Sequence, residues 1–380
     1  MTTKHTIFIA GAGGIGQAVA LLLREWSDFT VDLYIGDING DTARAVCAGL
    51  SVGSDKEGAL HAVTMPPEGT NEELETALAA CEVILDCLPG SQAPRLAEMA
   101  LRHNLHYANL TEYVAETDQI MDLARDAATG FVLQTGLAPG FINVLGKSLF
   151  DDFCADWGVT EVERLALRVG ALSQHAEAPY FYAFTWSTVG VATEYVKDSI
   201  AVRDYQKRAV PALSERETLI IDGVAYEADL TSGGAADLPE ALAGRVKHLD
   251  YKTLRYPGHY AWVERTLHTT LAEADNERIS ALQKTMESEI PAVEDDVVLV
   301  YAAVRGFDQN GVLRGREKAY RILPIEVAGQ RLRAIQTTTA APLAECARML
   351  LTGNYRGIVL QSELSAADFL NGLYVRQVYI

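Results

Sequence analysis

Glycines stand at positions 11, 13, 14 and 16 in the run Gly11-Ala12-Gly13-Gly14-Ile15-Gly16, which has the spacing GxGxxG. Residues 6–10 before it read as a short apolar strand, and residues 15–26 after it carry a helical pattern. That strand–loop–helix context is what the motif needs to bind a dinucleotide. Gly11 permits a tight turn out of the strand, Gly13 lets a pyrophosphate approach the backbone, and Gly16 allows the helix to pack close to the strand. The helix start at Gly14 and Ile15 offers unpaired N–H groups and the positive end of the helix dipole to the phosphates. Asp37 follows about 20 residues beyond the last glycine, closing the next strand. Its carboxylate can accept hydrogen bonds from ribose hydroxyls and would repel a 2′-phosphate. Ile38 and Asn39 come next and the nearest arginine is Arg44, so the pattern favours NAD over NADP. In Asp86-Cys87-Leu88-Pro89-Gly90, Pro and Gly end another strand. Ligands of open α/β sheets lie at the carboxyl ends of strands, so Cys87, Leu88 and Pro89 are expected to wall the nicotinamide side.

These residues need a sheet to hold them. Over residues 1–145, strand patterns at 6–10, 30–35, 62–65, 82–88, 106–109 and 130–134 alternate with helical patterns at 15–26, 42–50, 71–80, 93–103 and 115–127. Such alternation with apolar strands predicts a parallel sheet covered on both faces. After about residue 140 the pattern changes. Residues 161–172 read as a long half-buried strand, 219–222 and 225–230 as a hairpin around Gly223, and 296–307 and 315–323 as another around Asp308-Gln309-Asn310-Gly311. Asn-Gly is a strong hairpin signal, so an antiparallel sheet is expected here, with helices at 189–199 and 266–285. Residues 342–351 return to a helical pattern, followed by an apolar run at 357–360. The expected fold is α/β: a doubly wound Rossmann domain (1–145), an inserted α+β substrate and dimerisation domain (146–334), and a C-terminal segment (335–380) returning to the first domain.

Bulk properties narrow the function. A chain of 380 residues suggests about two domains. With 51 acidic and 32 basic residues the net charge is −19, which disfavours nucleic acid and anionic membrane as partners. Cys47, Cys81, Cys87, Cys154 and Cys346 form no CxxC pair, and the histidines show no zinc spacing, so no metal is expected. Scattered, odd cysteines fit a reducing compartment. The apolar stretch 6–23 imitates a secretory signal, but it carries spaced glycines and Gln17 and runs on into Arg24 and Glu25. No other stretch reaches the ~18 unbroken apolar residues of a membrane span, and a cytoplasmic protein is expected. There is no GxSxG and no cysteine with an evident activating partner.

Four further segments are dense in Gly, Pro, Trp, Tyr and charge and read as site loops: 135–143, 184–195, 231–234 and 250–259. On the 11–16 loop with Asp37, the GLAPG run at 136–140, the WSxxGxxxEY run at 186–195 and DYKTLRYPGH at 250–259, the sequence resembles the saccharopine dehydrogenase superfamily, most of all its lysine 6-dehydrogenase type. The resemblance spans nearly the whole chain. Many families share the first motif; the last two runs are far more specific. It implies a homodimeric or homotetrameric NAD enzyme oxidising a C–N bond of lysine or a lysine-like amino acid, giving the semialdehyde and ammonia. Saccharopine reductases and carboxynorspermidine dehydrogenases often carry Asp where this chain has Ala138, and they tend to use NADP. Two alternatives stay open: reductive condensation of an aldehyde with an amine, as in those relatives, and a non-catalytic NAD(H)-binding protein.

The implied chemistry needs a proton acceptor poised near neutrality and a cation for the substrate carboxylate. Arg255 is the expected carboxylate anchor, with Lys252 as its neighbour. His259 is the acid/base candidate, since an unperturbed imidazole titrates near neutrality. Glu194 is expected to hold a cationic amine, so that His259, Glu194 and Lys252 form the catalytic set. Tyr195 shares the helix of Glu194, Trp186 is placed to pack on substrate or nicotinamide, and Asn143 and Thr231 to supply polar contacts.

Overall fold

The computed structural model describes residues 3–52, 54–112, 114–269 and 274–380. They divide into two units: the described residues up to Phe141 with Ile325–Leu332 and Gln336–Ile380, and Ile142–Pro324 with Arg333–Ile335.

The first unit begins with β1 (Lys4–Ala10), β2 (Thr30–Asp37), β3 (Leu60–Thr64), β4 (Val83–Asp86), β5 (His106–Asn109) and β6 (Gly130–Val132), all paired in parallel. Ile7, Phe8, Ile9 and Ala10 are all buried, without alternation, as expected of a strand covered on both faces. On one face Phe8, Ile84, Tyr107 and Phe131 pack with Leu74 and Leu78 of the helix Glu72–Ala79 and with Leu96 and Ala97 of the helix Ala93–His103. β1 lies between β2 and β4, so the chain leaves it toward β2 and later resumes on its other side. That reversal opens a crevice at the carboxyl ends of β1 and β4, where doubly wound folds bind ligands.

In the second unit a mixed sheet is built from β7 (Val162–Ser173), β8 (Ser199–Arg203), β9 (Gln206–Val210), β10 (Glu217–Ile221), β11 (Val224–Leu230), β12 (Val246–Arg255), β13 (Asp296–Phe307) and β14 (Leu313–Ile322). Its order is β10-β11-β12-β7-β13-β14, with β8 joining β12 and β9. The two hairpins expected from Gly223 and Asn310-Gly311 are present as β10–β11 and β13–β14. β7 and β12, however, run parallel, so the sheet is not the purely antiparallel one expected. Side-chain alternation reports which face is buried and carries no information on strand direction.

The chain then returns to the first unit through the hairpin β15 (Ile325–Val327) and β16 (Gln330–Leu332), and through β17 (Gly357–Val359), which extends the parallel sheet beyond β6. The Gln330 side chain bonds the Gln17 side chain and the Gly49 carbonyl, fixing this hairpin to the unit. The return thus starts ten residues earlier than the expected 335.

Several local expectations need correction. DYKTLR, read as a loop, is the end of β12, and the following His259 starts the helix His259–Thr269. Phe141, Ile142 and Asn143 are the first turn of the helix Phe141–Trp157. The helix expected at 189–199 is Thr188–Val196, and Ser199 opens β8. The helix expected at 266–285 is divided between His259–Thr269 and Asp275–Glu289; residues 270–273 lie outside the described residues. No helix among the described residues is long and apolar enough to cross a membrane.

Candidate functional site

The nucleotide motif is built mainly from backbone. Gly11 has φ +101°, its N–H donates to the Gly36 carbonyl at 2.7 Å, and a Cβ there would press on the Cys87 carbonyl at 3.1 Å. A Cβ on Gly16 would lie 1.8 Å from the Gly11 oxygen, so only glycine lets the helix Gly14–Trp26 close on the turn. Gly13 caps that helix in extended conformation without a side-chain cap, and a Cβ on it would point into open space. The three glycines therefore do different things: Gly11 and Gly16 shape the loop, and Gly13 keeps its rim bare. Gly14 is exposed and Ile15 half-buried in the first turn.

Asp37 ends β2 beside this loop. Its Oδ2 accepts the Ala12 N–H and its Oδ1 the Asn39 N–H, both at 2.9 Å. A carboxylate offers about four lone-pair sites, so acceptor capacity remains for ribose hydroxyls. Among the described residues no cation pairs with Asp37, and Arg44 pairs with Asp41 at 2.7 Å. Ile38 is exposed next to it. Loop, bare rim and carboxylate fit an adenosine diphosphate moiety.

The Cys87–Pro89 wall is held by a residue the sequence reading passed over. Asp86, 2% exposed, accepts the Leu88 N–H at 2.9 Å and the Tyr107 hydroxyl at 2.8 Å. Burial raises its carboxyl, and these two hydrogen bonds limit the rise to about 6. The Cys87 N–H donates to the Ala10 carbonyl, so the wall starts directly beside the Gly11 turn; Leu88 is half-buried and Pro89 exposed.

In the second unit the alternation along β12 sorts its side chains onto two faces. Arg255 enters a buried aromatic cluster. Its Nε donates to the Tyr195 hydroxyl at 2.6 Å and its Nη1 to the Leu254 carbonyl at 2.9 Å, and its guanidinium lies 4.7 Å from the Tyr182 ring centre. His259, 0% exposed, meets the Tyr195 hydroxyl at Nε2 (3.0 Å) and the Tyr180 carbonyl at Nδ1 (2.8 Å). The donors order themselves: Arg255 Nε–H gives to Tyr195, Tyr195 O–H to His259 Nε2, and His259 Nδ1–H to Tyr180. Burial and the Arg255 charge then push the imidazole down to about 3. A neutral ring committed at both nitrogens cannot be the near-neutral base expected of His259.

Two polar atoms in this cluster, Arg255 Nη2 and the Tyr182 hydroxyl, are buried without a hydrogen bond among the described residues. Burial pushes the Tyr182 hydroxyl up to about 12, and the Arg255 charge and the nearby Trp186 side chain offset part of that rise. Glu194, mostly buried on the helix Thr188–Val196, acts electrostatically on both Arg255 and Tyr182. Arg255, Glu194, Tyr195 and Trp186 are thus brought together in the second unit, joined by Tyr182. Its signal was the aromatic run Tyr180-Phe181-Tyr182, which composition alone does not separate from core.

One expected site residue is placed elsewhere. Lys252 projects from the opposite face of β12 to Arg255, because the two are an odd number of residues apart. There its Nζ donates to the Glu215 carbonyl, within a network in which Arg168 pairs with Asp250 at 2.6 Å and Arg203 with Asp250 at 3.0 Å. Burial would raise the Asp250 carboxyl, but these cations hold it at about 2. Asn143 Nδ2 donates to the Gly234 carbonyl at 3.0 Å, and the Thr231 and Thr253 hydroxyls share a 2.7 Å hydrogen bond. Both residues pin the 231–234 segment.

Residues 7–133 match the family described as the saccharopine dehydrogenase NADP binding domain, and residues 136–375 the saccharopine dehydrogenase C-terminal domain. Among solved structures, saccharopine dehydrogenase (L-Glu forming) from Saccharomyces cerevisiae superposes with a TM-score of 0.75 at 14% identity, covering 99% of this chain and 98% of that one. Homospermidine synthase from Legionella pneumophila, in complex with NAD, gives 0.65 at 12% identity, covering 100% and 91%.

Proposed function

The chain belongs to the saccharopine dehydrogenase family of NAD(P)-binding oxidoreductases, and within that family we propose that it is an NAD-dependent amine dehydrogenase acting on lysine or a lysine-like amino acid. The observation that carries the substrate class is the pair of buried, unpartnered donors, Arg255 Nη2 and the Tyr182 hydroxyl. Donors left unpaired in a protein interior are costly, and a substrate carboxylate answers both. Glu194 beside them attracts a substrate ammonium. Arg255 is oriented for this by Tyr195 and, through it, by His259, which acts as a neutral positioning residue.

The nicotinamide, when bound, supplies the hydride acceptor. Gly13 and the N-terminus of the helix Gly14–Trp26 would hold the pyrophosphate, Asp37 the adenosine ribose, and Cys87–Pro89 would flank the nicotinamide. Asp37 without a paired cation supports NAD over NADP, although the matching family description names NADP. A homo-oligomer is part of the same proposal.

The test is NADH formation by the purified protein with L-lysine, other diamino acids and saccharopine, each with NAD and with NADP. Reduction of NAD by lysine alone supports the reading. Turnover only with saccharopine, or only in the direction that joins an aldehyde to an amine, assigns the chain to the condensing reaction suggested by the relatives' names. NADH binding without turnover on any of these substrates leaves a nucleotide-binding protein.

A further inference from the structure

We infer that Gln336 is a positioning residue of the cofactor site: from the C-terminal return segment it sets the peptide group that presents the Ile15 N–H to the pyrophosphate. The inference rests on the nucleotide-binding reading of the first unit and is independent of the substrate. Gln336 stands 322 residues beyond Gly14 in the chain, and both belong to the first unit.

The helix Gly14–Trp26 makes its first intrahelical hydrogen bond from the Gln17 N–H to the Gly13 carbonyl, at 2.9 Å. The N–H groups of Gly14, Ile15 and Gly16 precede it and have no carbonyl within the helix to donate to. No acidic side chain stands in this first turn, and Gly13 leaves the approach to it bare. These N–H groups are the donors that a pyrophosphate meets. Gln336 acts on them from the carbonyl side. Its Nε2 donates to the Gly14 carbonyl at 2.9 Å. Helix geometry brings the Ala18 N–H to the same oxygen, whose two lone pairs accommodate both donors. The Gly14 carbonyl and the Ile15 N–H belong to one planar peptide group. A donor held on the oxygen therefore fixes the plane and polarises the N–H on its other side toward an anion.

The contact is one half of a two-point grip. Gln17 Nε2 donates to Gln330 Oε1 at 3.4 Å, and Gln330 Nε2 donates to the Gly49 carbonyl at 3.2 Å. Gly14 and Gln17 are three residues apart and so share one face of their helix. The two glutamines of the return segment hold that same face through different atoms: Gln330 meets a side chain, and Gln336 meets the peptide backbone. Both serve to dock the return segment, and the tuning of the phosphate donors belongs to Gln336.

The experiment uses the full chain and compares wild type with Gln336→Ala, Gln336→Glu and Gln330→Ala. ADP-ribose is titrated by calorimetry, adenosine by ligand-observed NMR, and each variant is melted. Adenosine carries the ribose assigned to Asp37 but no phosphate. Gln336→Ala should weaken ADP-ribose binding about fivefold and leave adenosine binding unchanged. Gln336→Glu turns an acceptor toward the carbonyl and adds a negative charge near the phosphates. It should cost roughly tenfold, with the loss shrinking as salt is raised. Gln330→Ala should lower the melting temperature and keep the affinity for ADP-ribose. Unchanged ADP-ribose affinity in Gln336→Ala overturns the inference. So do equal losses in Gln336→Ala and Gln330→Ala, or parallel losses for adenosine and ADP-ribose, since the glutamine then only holds the segment in place. A wild type that binds neither ligand overturns the nucleotide-binding reading and the role of Gln336 with it. Because no step needs turnover, failure of the amine-dehydrogenase reading leaves these outcomes distinct.

Discussion

On the proposed function the nucleotide loop and the aromatic cluster solve the same problem, holding a polar ligand, by opposite means. Around Gly11–Gly16 the work is done by backbone and by missing side chains. Around Arg255 it is done by large side chains that hydrogen-bond one another into a single arrangement. The loop tolerates no added carbon at Gly16, whose Cβ would meet the Gly11 oxygen. The cluster tolerates no lost hydrogen bond, because Arg255, Tyr195 and His259 share one chain of donors. Damage to the first should therefore appear in cofactor binding, and damage to the second in substrate binding and acid stability.

The largest effect is expected from Gly16→Val, which should weaken NADH binding about 100-fold or more, measured by calorimetric titration. Unchanged affinity would mean that the loop does not need its close helix. Next, Arg255→Lys keeps the charge but loses the planar fork. KM for the amino acid should rise by roughly tenfold or more while NADH affinity stays constant; a change confined to NADH affinity would break the division of labour. Asp37→Ala should cost about tenfold in NAD affinity and narrow the preference over NADP, which competition titrations would detect.

Acid unfolding sharpens the comparison further. His259 is lowered in the fold from 6.5 to about 3, so its contribution is complete above 6.5 and declines as pH falls through that window. The limiting slope is about 1.4 kcal/mol per pH unit. His259→Gln should flatten this part of the profile relative to wild type. Asp250, lowered from 3.8 to about 2, adds its own loss only below 3.8 and is unaffected by that variant. The smallest effect belongs to Asn143→Ala. It should lower stability by about 1–2 kcal/mol in denaturant unfolding, with kcat largely retained.

The nucleotide loop of the first unit was legible because GxGxxG, the flanking strand and helix, and Asp37 are local in sequence, and their spacing is dictated by one turn and one βαβ unit. The aromatic cluster of the second unit was legible only as a set of unusual residues. Lys252 and Arg255 are neighbours in sequence, yet β12 sends them to opposite faces, and the segment's mixture of charge and aromatics hid its strand. His259 has the residue type of a base, but its protonation is set by burial and by Arg255, which no spacing reveals. Tyr182 and Asp86 became visible only through what lies around them.

The sequence alone determined the α/β class, the position of the dinucleotide loop and the two hairpins, because each follows from short-range periodicity, glycine geometry or turn chemistry. The tertiary structure alone decided the parallel pairing of β7 with β12, which face of β12 each side chain takes, and which titratable groups hold a proton at neutral pH. Those properties depend on strand partners, burial and nearby charge, and these are contributed by residues far apart in the chain.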